Sequence, residues 1–440
     1  MEDKDVIYGR LWLKGHLPDD IEHTADAIES TYQKNRRLYC QRCSALMETK
    51  NQLPSGAYYC RSCIVFGRNQ SDRPLYAVKP KEFPKGDYLN WQGQLTTYQS
   101  EVSRALLTNM KQQKNSLVHA VTGAGKTEMI YAAIAEVVNT GGWVCLASPR
   151  IDVCIELKKR LSRDFSCPVC LMHADSEAYH RAPIIVATTH QLMKFYRAFD
   201  LLIIDEVDAF PFVGNRSLQY ASEQALKLDA VKILLTATST SELEQQVANK
   251  ELEKLTLARR FHGKPLIVPE FKLLLSMTKH LNQKKIPKSF VKLIAQQRKT
   301  TYPLLIFFPI IELGEQFAEL LKTYFPKEAI GYVSSQSENR LETVERFRHG
   351  DIGILVSTTI LERGVTFPRV DVFVVLANHK VFNAASLIQI AGRVGRSLER
   401  PEGQLLFIHE GITKAMKKSV KEIKLMNQKG YSNELSTVPN

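Results

Sequence analysis

The sequence predicts an α/β protein, two tandem parallel-sheet domains preceded by a small N-terminal region with a four-cysteine zinc ribbon. Three observations carry this. Short β-branched apolar runs alternate with helical patterns twice along the chain, four cysteines fall in two CxxC pairs, and 440 residues exceed one typical domain. The expected boundaries are 1–85 for the N-terminal region, 86–260 for the first sheet domain and 261–440 for the second.

In the first region, Cys40-Gln-Arg-Cys43 and Cys60-Arg-Ser-Cys63 are separated by sixteen residues. Each pair offers two thiolates from one tight knuckle, and the four complete a tetrahedron around one structural Zn²⁺ with no open position. Four free cysteines or a disulfide pair are the competing readings, and disulfides disagree with an intracellular location. Pro54-Ser-Gly56 reads as the turn between two knuckle-bearing strands. Charge is uneven here: residues 1–30 hold three basic and eight acidic side chains, residues 31–85 eleven basic and three acidic. Arg36, Arg37, Arg42, Arg61 and Arg68, interleaved with Tyr39, Tyr58, Tyr59 and Phe66, could grip a nucleic-acid backbone and stack bases. Alternatively the node only fastens this segment to the rest of the protein. Lys79–Asp87, rich in Pro, Lys and Gly, reads as a linker.

The second region carries apolar runs at Leu117–Val121, Trp143–Ala147, Ile184–Ala187, Leu201–Ile204 and Ile233–Leu235, expected as strands buried on both faces. Ala120-Val-Thr122-Gly123-Ala124-Gly125-Lys126-Thr127 follows the first of them and opens a helix expected over Glu128–Val138. That is the context a phosphate loop requires: Gly123 and Gly125 let backbone N–H groups close around phosphate oxygens, with Thr122 and Ala124 between them. Lys126 neutralises the β/γ-phosphates and Thr127 ligates Mg²⁺. Ala120 departs from the glycine of the strict pattern. Leu201–Ile204 then delivers Asp205 and Glu206 to a strand end, where open α/β sheets bind ligands. Asp205 would hold the Mg²⁺ that accompanies ATP, and Glu206 would orient and deprotonate the attacking water. An acidic pair after a strand is often just a helix cap; a phosphate loop upstream changes that weighting. Cys167-Pro-Val-Cys170 is a lone CxxC read as ordinary packing, and Cys145 and Cys154 as core.

After a polar stretch, His280–Thr301, the third region repeats the architecture with runs at Leu304–Phe308, Ile352–Val356, Val372–Leu376 and Leu405–Ile408. Gln389-Ile-Ala-Gly392-Arg393-Val-Gly-Arg396 follows the third run. Two glycines would weaken a plain surface helix, and guanidinium groups suit a γ-phosphoryl leaving as a dispersed anion. A last basic helix over Ile412–Met426 sets Ile412, Met416, Val420, Ile423 and Met426 on one face, for packing on the sheet.

Composition bounds the partners. The chain is 44% hydrophobic and 24% charged, which excludes wholesale disorder, collagen and coiled coil. Apolar runs such as Pro303–Ile311 are about half the ~18 residues of a membrane helix. With no secretory signal pattern, a soluble, cytoplasmic protein is expected. The net charge of +13 suits a polyanion, nucleic acid before acidic lipid.

In order and content these motifs resemble those of a superfamily-two helicase of the DEAD/DEAH type over about residues 88–410, which implies RecA-like domains. By that resemblance Gln99, in Leu95-Thr-Thr-Tyr-Gln99, reads the adenine; Ser148 and Arg150, Thr188, Thr189 and His190, and Thr358 and Thr359 touch the nucleic-acid backbone; Thr236 and Thr238, with Gln389, couple hydrolysis to strand movement; and Arg393 and Arg396 are the fingers completing the catalytic set of Lys126, Asp205 and Glu206. The cysteine node ahead of a compact motor, with Trp91-Gln-Gly-Gln-Leu-Thr, Asp205-Glu-Val-Asp-Ala-Phe-Pro211 and Arg260-Phe-His262, further resembles the ComFA family of late competence proteins, cytoplasmic ATPases of natural transformation. That resemblance implies ATP-driven import of single-stranded DNA, with an inner-membrane DNA channel and a phosphoribosyltransferase-like competence protein as partners, a site at the inner membrane face, and room for a homo-oligomer. With little length left for a wedge domain, a DNA-stimulated translocase with weak duplex unwinding is expected.

Three alternatives stay open. A primosomal restart-type helicase also joins a motor to cysteine knuckles, though there they usually interrupt the second motor unit. A clamp or scaffold without productive hydrolysis is opposed by Glu206, Arg393 and Arg396. An RNA helicase would share every backbone-reading motif.

Overall fold

The computed structural model describes residues 4–431. Residues 1–3 and 432–440, at the outer ends of the first and last expected regions, lie outside the described residues. The chain divides into two units, residues up to 119 with 126–256, and residues from 257 onward with 120–125.

The first unit begins with small antiparallel pieces. Strands β1 (Leu11–Leu13), β2 (Asp26–Ile28) and β5 (Leu75–Ala77), with helix α1 (Asp19–Glu22) between the first two, form a sheet ordered β1-β5-β2. β3 (Thr31–Lys34) and β4 (Arg37–Cys40) pair as a hairpin closed by Asn35 and Arg36, whose φ of 51° and 61° give the two left-handed positions a tight turn needs. Among the described residues the main sheet is ordered β12-β6-β11-β10-β7-β9-β8. Its strands are β6 (Ser116–Ala120), β7 (Val144–Ser148), β8 (Val169–Met172), β9 (Ile184–Thr188), β10 (Phe199–Ile204), β11 (Leu226–Thr236) and β12 (Glu253–Leu257). β6, β11, β10, β7, β9 and β8 are successively parallel, and β6, β7 and β9 are buried at every position. Helices α2 (Thr97–Lys111), α3 (Lys126–Met129), α4 (Tyr131–Asn139), α5 (Ile151–Asp164), α6 (Arg216–Ala225) and α7 (Ser241–Ala248) complete the unit.

Several expectations need correction. The helix over Glu128–Val138 breaks at Ile130: its N–H closes a short-turn bond to Thr127 (3.3 Å), and α4 starts afresh at the buried Tyr131. β11 reaches back to Leu226, seven residues before the apolar run: its first half mixes polar and apolar residues, with Leu228 and Asp229 exposed, and so carries no continuous apolar signal. Lys79–Asp87 has no regular structure, yet it is no free linker. Phe83 is buried, meets Trp143 edge-on (5.7 Å) and donates its N–H to Gly141 (2.9 Å), so the strap lies along the first domain.

The second unit holds one parallel sheet ordered β13-β18-β17-β14-β16-β15 among the described residues. Its strands are β13 (Glu270–Leu273), β14 (Leu304–Phe307), β15 (Ile330–Val333), β16 (Ile354–Ser357), β17 (Asp371–Val374) and β18 (Leu405–His409). The polar stretch His280–Thr301 is largely helical. α8 (Met277–Asn282) and α9 (Lys288–Arg298) bury Met277, Leu281, Phe290 and Ile294 into the core, a stripe diluted in sequence by lysines and glutamines. α10 (Ile311–Tyr324), α11 (Arg340–His349) and α12 (Ala384–Ala391) follow, and α12 is capped by the Asn383 side chain accepting from Ser386 N–H at 2.9 Å. α13 runs over Lys414–Tyr431, so Ile412 precedes it and is exposed, and the buried stripe is Met416, Ser419, Ile423 and Met426.

Candidate functional site

Five parallel neighbours in the first sheet place their carboxyl ends on one edge, and each end carries an expected residue. β6 runs into the loop Val121–Gly125, where Gly123 and Gly125 have φ of 78° and 73°, a left-handed backbone open to glycine, and the Ala124 N–H donates to the Val121 carbonyl (3.2 Å). Lys126 and Thr127 open α3 and are half-buried. β7 ends at the buried Ser148, and Arg150, which caps α5, pairs with Asp152 at 3.2 Å. β9 ends at Thr188 and Thr189, both buried, followed by the exposed His190.

β10 delivers Asp205 and Glu206. Asp205 donates its N–H to the Ala147 carbonyl (2.8 Å), and its Oδ1 accepts the Glu206 N–H at 2.8 Å. Glu206 has a φ of 54°, a left-handed backbone that costs energy in a non-glycine residue and turns the chain sharply off the strand. Beneath it Cys154 has its thiol pKa pushed up to about 12, by burial first and then by Asp205, Asp152 and Glu206, so this core cysteine stays neutral.

β11 ends in Thr236-Ala237-Thr238. Both hydroxyls donate to Asp208, Thr236 Oγ1 to Oδ1 at 2.9 Å and Thr238 Oγ1 to Oδ2, and all three residues are buried. His119, two residues before the Val121–Gly125 loop, meets the Ala237 carbonyl through Nε2 at 3.2 Å. Nothing in the Asp205-Glu-Val-Asp208 run itself marks Asp208 as an acceptor; its two partners lie 28 and 30 residues further along the chain. Gln99 holds a local structural role: its Oε1 accepts from Thr96 N–H (2.9 Å) in a capping box that starts α2.

In the second unit, β16 leads into Thr358, which is buried, and Thr359, and the following backbone meets the arginine motif. Arg393 Nε donates to the Glu362 carbonyl (3.2 Å), Arg396 Nη1 to the Val365 carbonyl (3.5 Å), and Ser386 Oγ to the Glu362 carboxylate. Gln389 is buried on α12. The two motifs expected in this unit are therefore one assembly. Arg260 and His262 hold that assembly from below.

The four sulfurs of Cys40, Cys43, Cys60 and Cys63 all lie within 4.8 Å of one another, with Cys40–Cys63 at 3.8 Å and Cys43–Cys60 at 3.5 Å. Tetrahedral zinc with Zn–S near 2.3 Å requires sulfurs about 3.8 Å apart, so the set fits. Asn69, fully buried, donates from Nδ2 to Cys40 Sγ (3.1 Å) and to the Ser30 carbonyl (2.8 Å), orienting the ligand from behind. Hydrogen bonding, first from Cys43, pulls the Cys40 thiol far below its ordinary value, while the Cys40 contact pushes Cys43 up. The Pro54–Gly56 turn is present, with Gly56 N–H on the Leu53 carbonyl at 2.9 Å. Arg42 is not a surface grip. It is buried and donates to the carbonyls of Phe66 (3.1 Å) and Gly67 (3.0 Å), tying one knuckle to the other. The cysteines share one apolar cluster with Trp143, Phe195 and Phe199 of the first sheet domain, Tyr32 stacks on Tyr220 (6.3 Å), and Lys194 sits over Phe66 (5.5 Å). Cys167 and Cys170 are buried, and no second metal cluster occurs among the described residues.

Two family models match the chain, "DEAD/DEAH box helicase" over residues 96–246 and "Helicase conserved C-terminal domain" over residues 285–397. Competence protein ComFA of Streptococcus pneumoniae (strain ATCC BAA-255 / R6) is 54% identical over 420 residues, spanning 96% of this chain and 97% of that protein. Competence protein ComFA of Bacillus subtilis (strain 168) is 36% identical over 414 residues, spanning 91% and 88%. Among solved structures, Mycobacterium smegmatis helicase Lhr bound to ssDNA and AMP-PNP matches with a TM-score of 0.58 at 17% identity, over 76% of this chain and 50% of that one. S. cerevisiae Dbp5 bound to RNA and ADP BeF3 matches with a TM-score of 0.54 at 16% identity, over 77% and 92%. These two likenesses bear on fold, two RecA-like parallel-sheet domains.

Proposed function

The chain belongs to the competence protein ComFA family, and we propose that it is an ATP-driven single-stranded DNA translocase that draws a DNA strand into the cell during natural transformation. It is a helicase-like enzyme that hydrolyses ATP. The observation that carries the finer reading is the shared edge of the first sheet, where the phosphate loop, Asp205-Glu206 and the Thr236–Thr238 bracket all stand at the carboxyl ends of parallel neighbours.

Lys126 and the loop Thr122–Gly125 would hold the triphosphate, Gln99 the adenine, and Glu206 would take the proton of the attacking water. Thr127 and Asp205 would hold Mg²⁺, which supplies charge neutralisation between the phosphates. Arg393 and Arg396 would meet the departing γ-phosphoryl. Ser148, Arg150, Thr188, Thr189, His190, Thr358 and Thr359 would contact the strand backbone, and Thr236, Thr238 and Gln389 would pass the state of the nucleotide to it. Asp208 joins that last group, because a change at Glu206 reaches both hydroxyls through two residues of backbone. The cysteine node would hold one structural Zn²⁺, and its common core with the first sheet supports a fastening role before a DNA-gripping one. The inner-membrane channel and the phosphoribosyltransferase-like competence protein are proposed partners. Among the described residues no helix is long and apolar enough to cross a membrane. The restart-helicase reading is not favoured, given two ComFA relatives matched along nearly their whole lengths.

The test is steady-state ATP turnover with single-stranded DNA, duplex DNA or RNA, alongside salt-dependent binding of each. Single-stranded DNA should raise turnover several-fold, with little strand separation of a duplex. Turnover indifferent to all three would reject the motor.

A further inference from the structure

Arg260 lies three residues beyond β12 and is 2% exposed. Its Nη1 donates to the carbonyls of Val394 (2.9 Å) and Gly395 (2.6 Å), and Nη2 to that of Gly392 (3.5 Å). His262 Nε2 meets the Gly395 carbonyl at 3.0 Å, which assigns the ring proton to that nitrogen. Among the described residues no carboxylate pairs with Arg260. Its charge is met by neutral carbonyls alone, at the carboxyl end of α12, where the helix dipole is negative. Burying a cation this way is costly, and an apolar side chain would fill the space more cheaply if stability were the only demand. Burial, and next the neighbouring Arg396 charge, lower the Arg260 pKa to about 10, so it remains a cation at neutral pH.

The carbonyls it holds alternate with the two arginines: Arg393 stands between Gly392 and Val394, and Arg396 follows Gly395. Gly395 has a φ of 64°, and a Cβ there would fall 2.2 Å from the Pro401 carbonyl oxygen and 3.1 Å from Arg260 Nη1. Only glycine presents its carbonyl to Arg260 in this way. We infer that Arg260, assisted by His262, is a positioning residue for ATP hydrolysis: its planar fork pins the backbone from Gly392 to Gly395 and so fixes where Arg393 and Arg396 reach. The inference rests on Arg393 and Arg396 acting on the γ-phosphoryl. Their own bonds to the Glu362 and Val365 carbonyls set the outer half of the geometry, and Arg260 sets the base. A lysine would bring the charge without the fork and could not span three carbonyls.

The test uses the full-length protein and the variants Arg260→Lys, Arg393→Ala, Arg396→Ala and Arg260→Lys/Arg396→Ala, followed by melting temperature, single-stranded DNA affinity without nucleotide, and ATP kcat and KM. Arg260→Lys should melt and bind DNA like the wild type while kcat falls about 10- to 100-fold with KM within about twofold. In the Arg396→Ala background the same change should cost less than it does in the wild type, because one of the two groups it positions is gone. An Arg260→Lys kcat within twofold of wild type, or an equal loss in both backgrounds, overturns the positioning role while Arg396→Ala remains slow. Rapid turnover by both Arg393→Ala and Arg396→Ala overturns the parent reading instead. Should Arg260→Lys not fold, His262→Leu, which removes the Gly395 contact together with the Nδ1 acceptor of the Lys264 N–H, is judged on the same split of kcat from KM and the same background comparison.

Discussion

Replacing Thr238 by valine tests the bracket around Asp208. Valine keeps the branched Cβ, so the shape of the site is nearly conserved and the loss is one hydroxyl. Thr238 and Asp208 are 5% and 8% exposed, so water has little access to replace the lost donor. A hydrogen bond to a charged group contributes about 1.5–3 kcal/mol, and that is the expected fall in stability of the first unit. Thr236→Val should cost about 1 kcal/mol more, because Thr236 Oγ1 also accepts the Thr238 N–H at 3.0 Å. Trp12, Trp91 and Trp143 all belong to the first unit, so tryptophan fluorescence during urea unfolding reads that unit directly. In a cycle with Asp208→Asn, the coupling between positions 208 and 238 should be about 1–2 kcal/mol. A Thr238→Val midpoint equal to wild type at unchanged slope, or a coupling near zero, would refute the bracket.

Other expectations concern the chemistry. Lys126→Ala and Glu206→Gln should both abolish turnover, and Glu206→Gln should still bind ATP; an active Glu206→Gln enzyme removes the base assignment. The purified protein should carry one zinc, lost in Cys40→Ser or Cys63→Ser, and because the cysteines share a core with the first sheet, the tryptophan-monitored midpoint should drop too. Metal analysis that finds none removes the node. His262 and His409 sit below their ordinary value of 6.5 because burial disfavours the imidazolium. The unfolded chain therefore binds more protons than the folded one just below that value, so stability is full above about pH 6.5 and declines as pH falls. A melting temperature that rises between pH 7.5 and pH 5.5 contradicts this sign.

Sequence alone determined the buried strands, the glycine turn after β6 and the carboxylate pair after β10, because each is local: a run of apolar residues, a glycine spacing, a strand end. The cysteine set was equally legible, since ligand spacing within a knuckle is a property of a few consecutive bonds. Tertiary structure decided what depends on distant residues meeting. Arg42 looked like one surface arginine among five, and only packing showed its guanidinium closing the two knuckles on each other. Phe83 sat in an apparent linker until Trp143 covered it. α8 and α9 were hidden because long polar side chains at their exposed positions diluted the apolar stripe. Asp208 and Arg260 acquire meaning only from partners 28 or more residues away, Thr236 for the one and the Gly392–Gly395 backbone for the other. A hydrogen bond between residues so far apart in the chain leaves no periodicity behind, so only the folded backbone could reveal it.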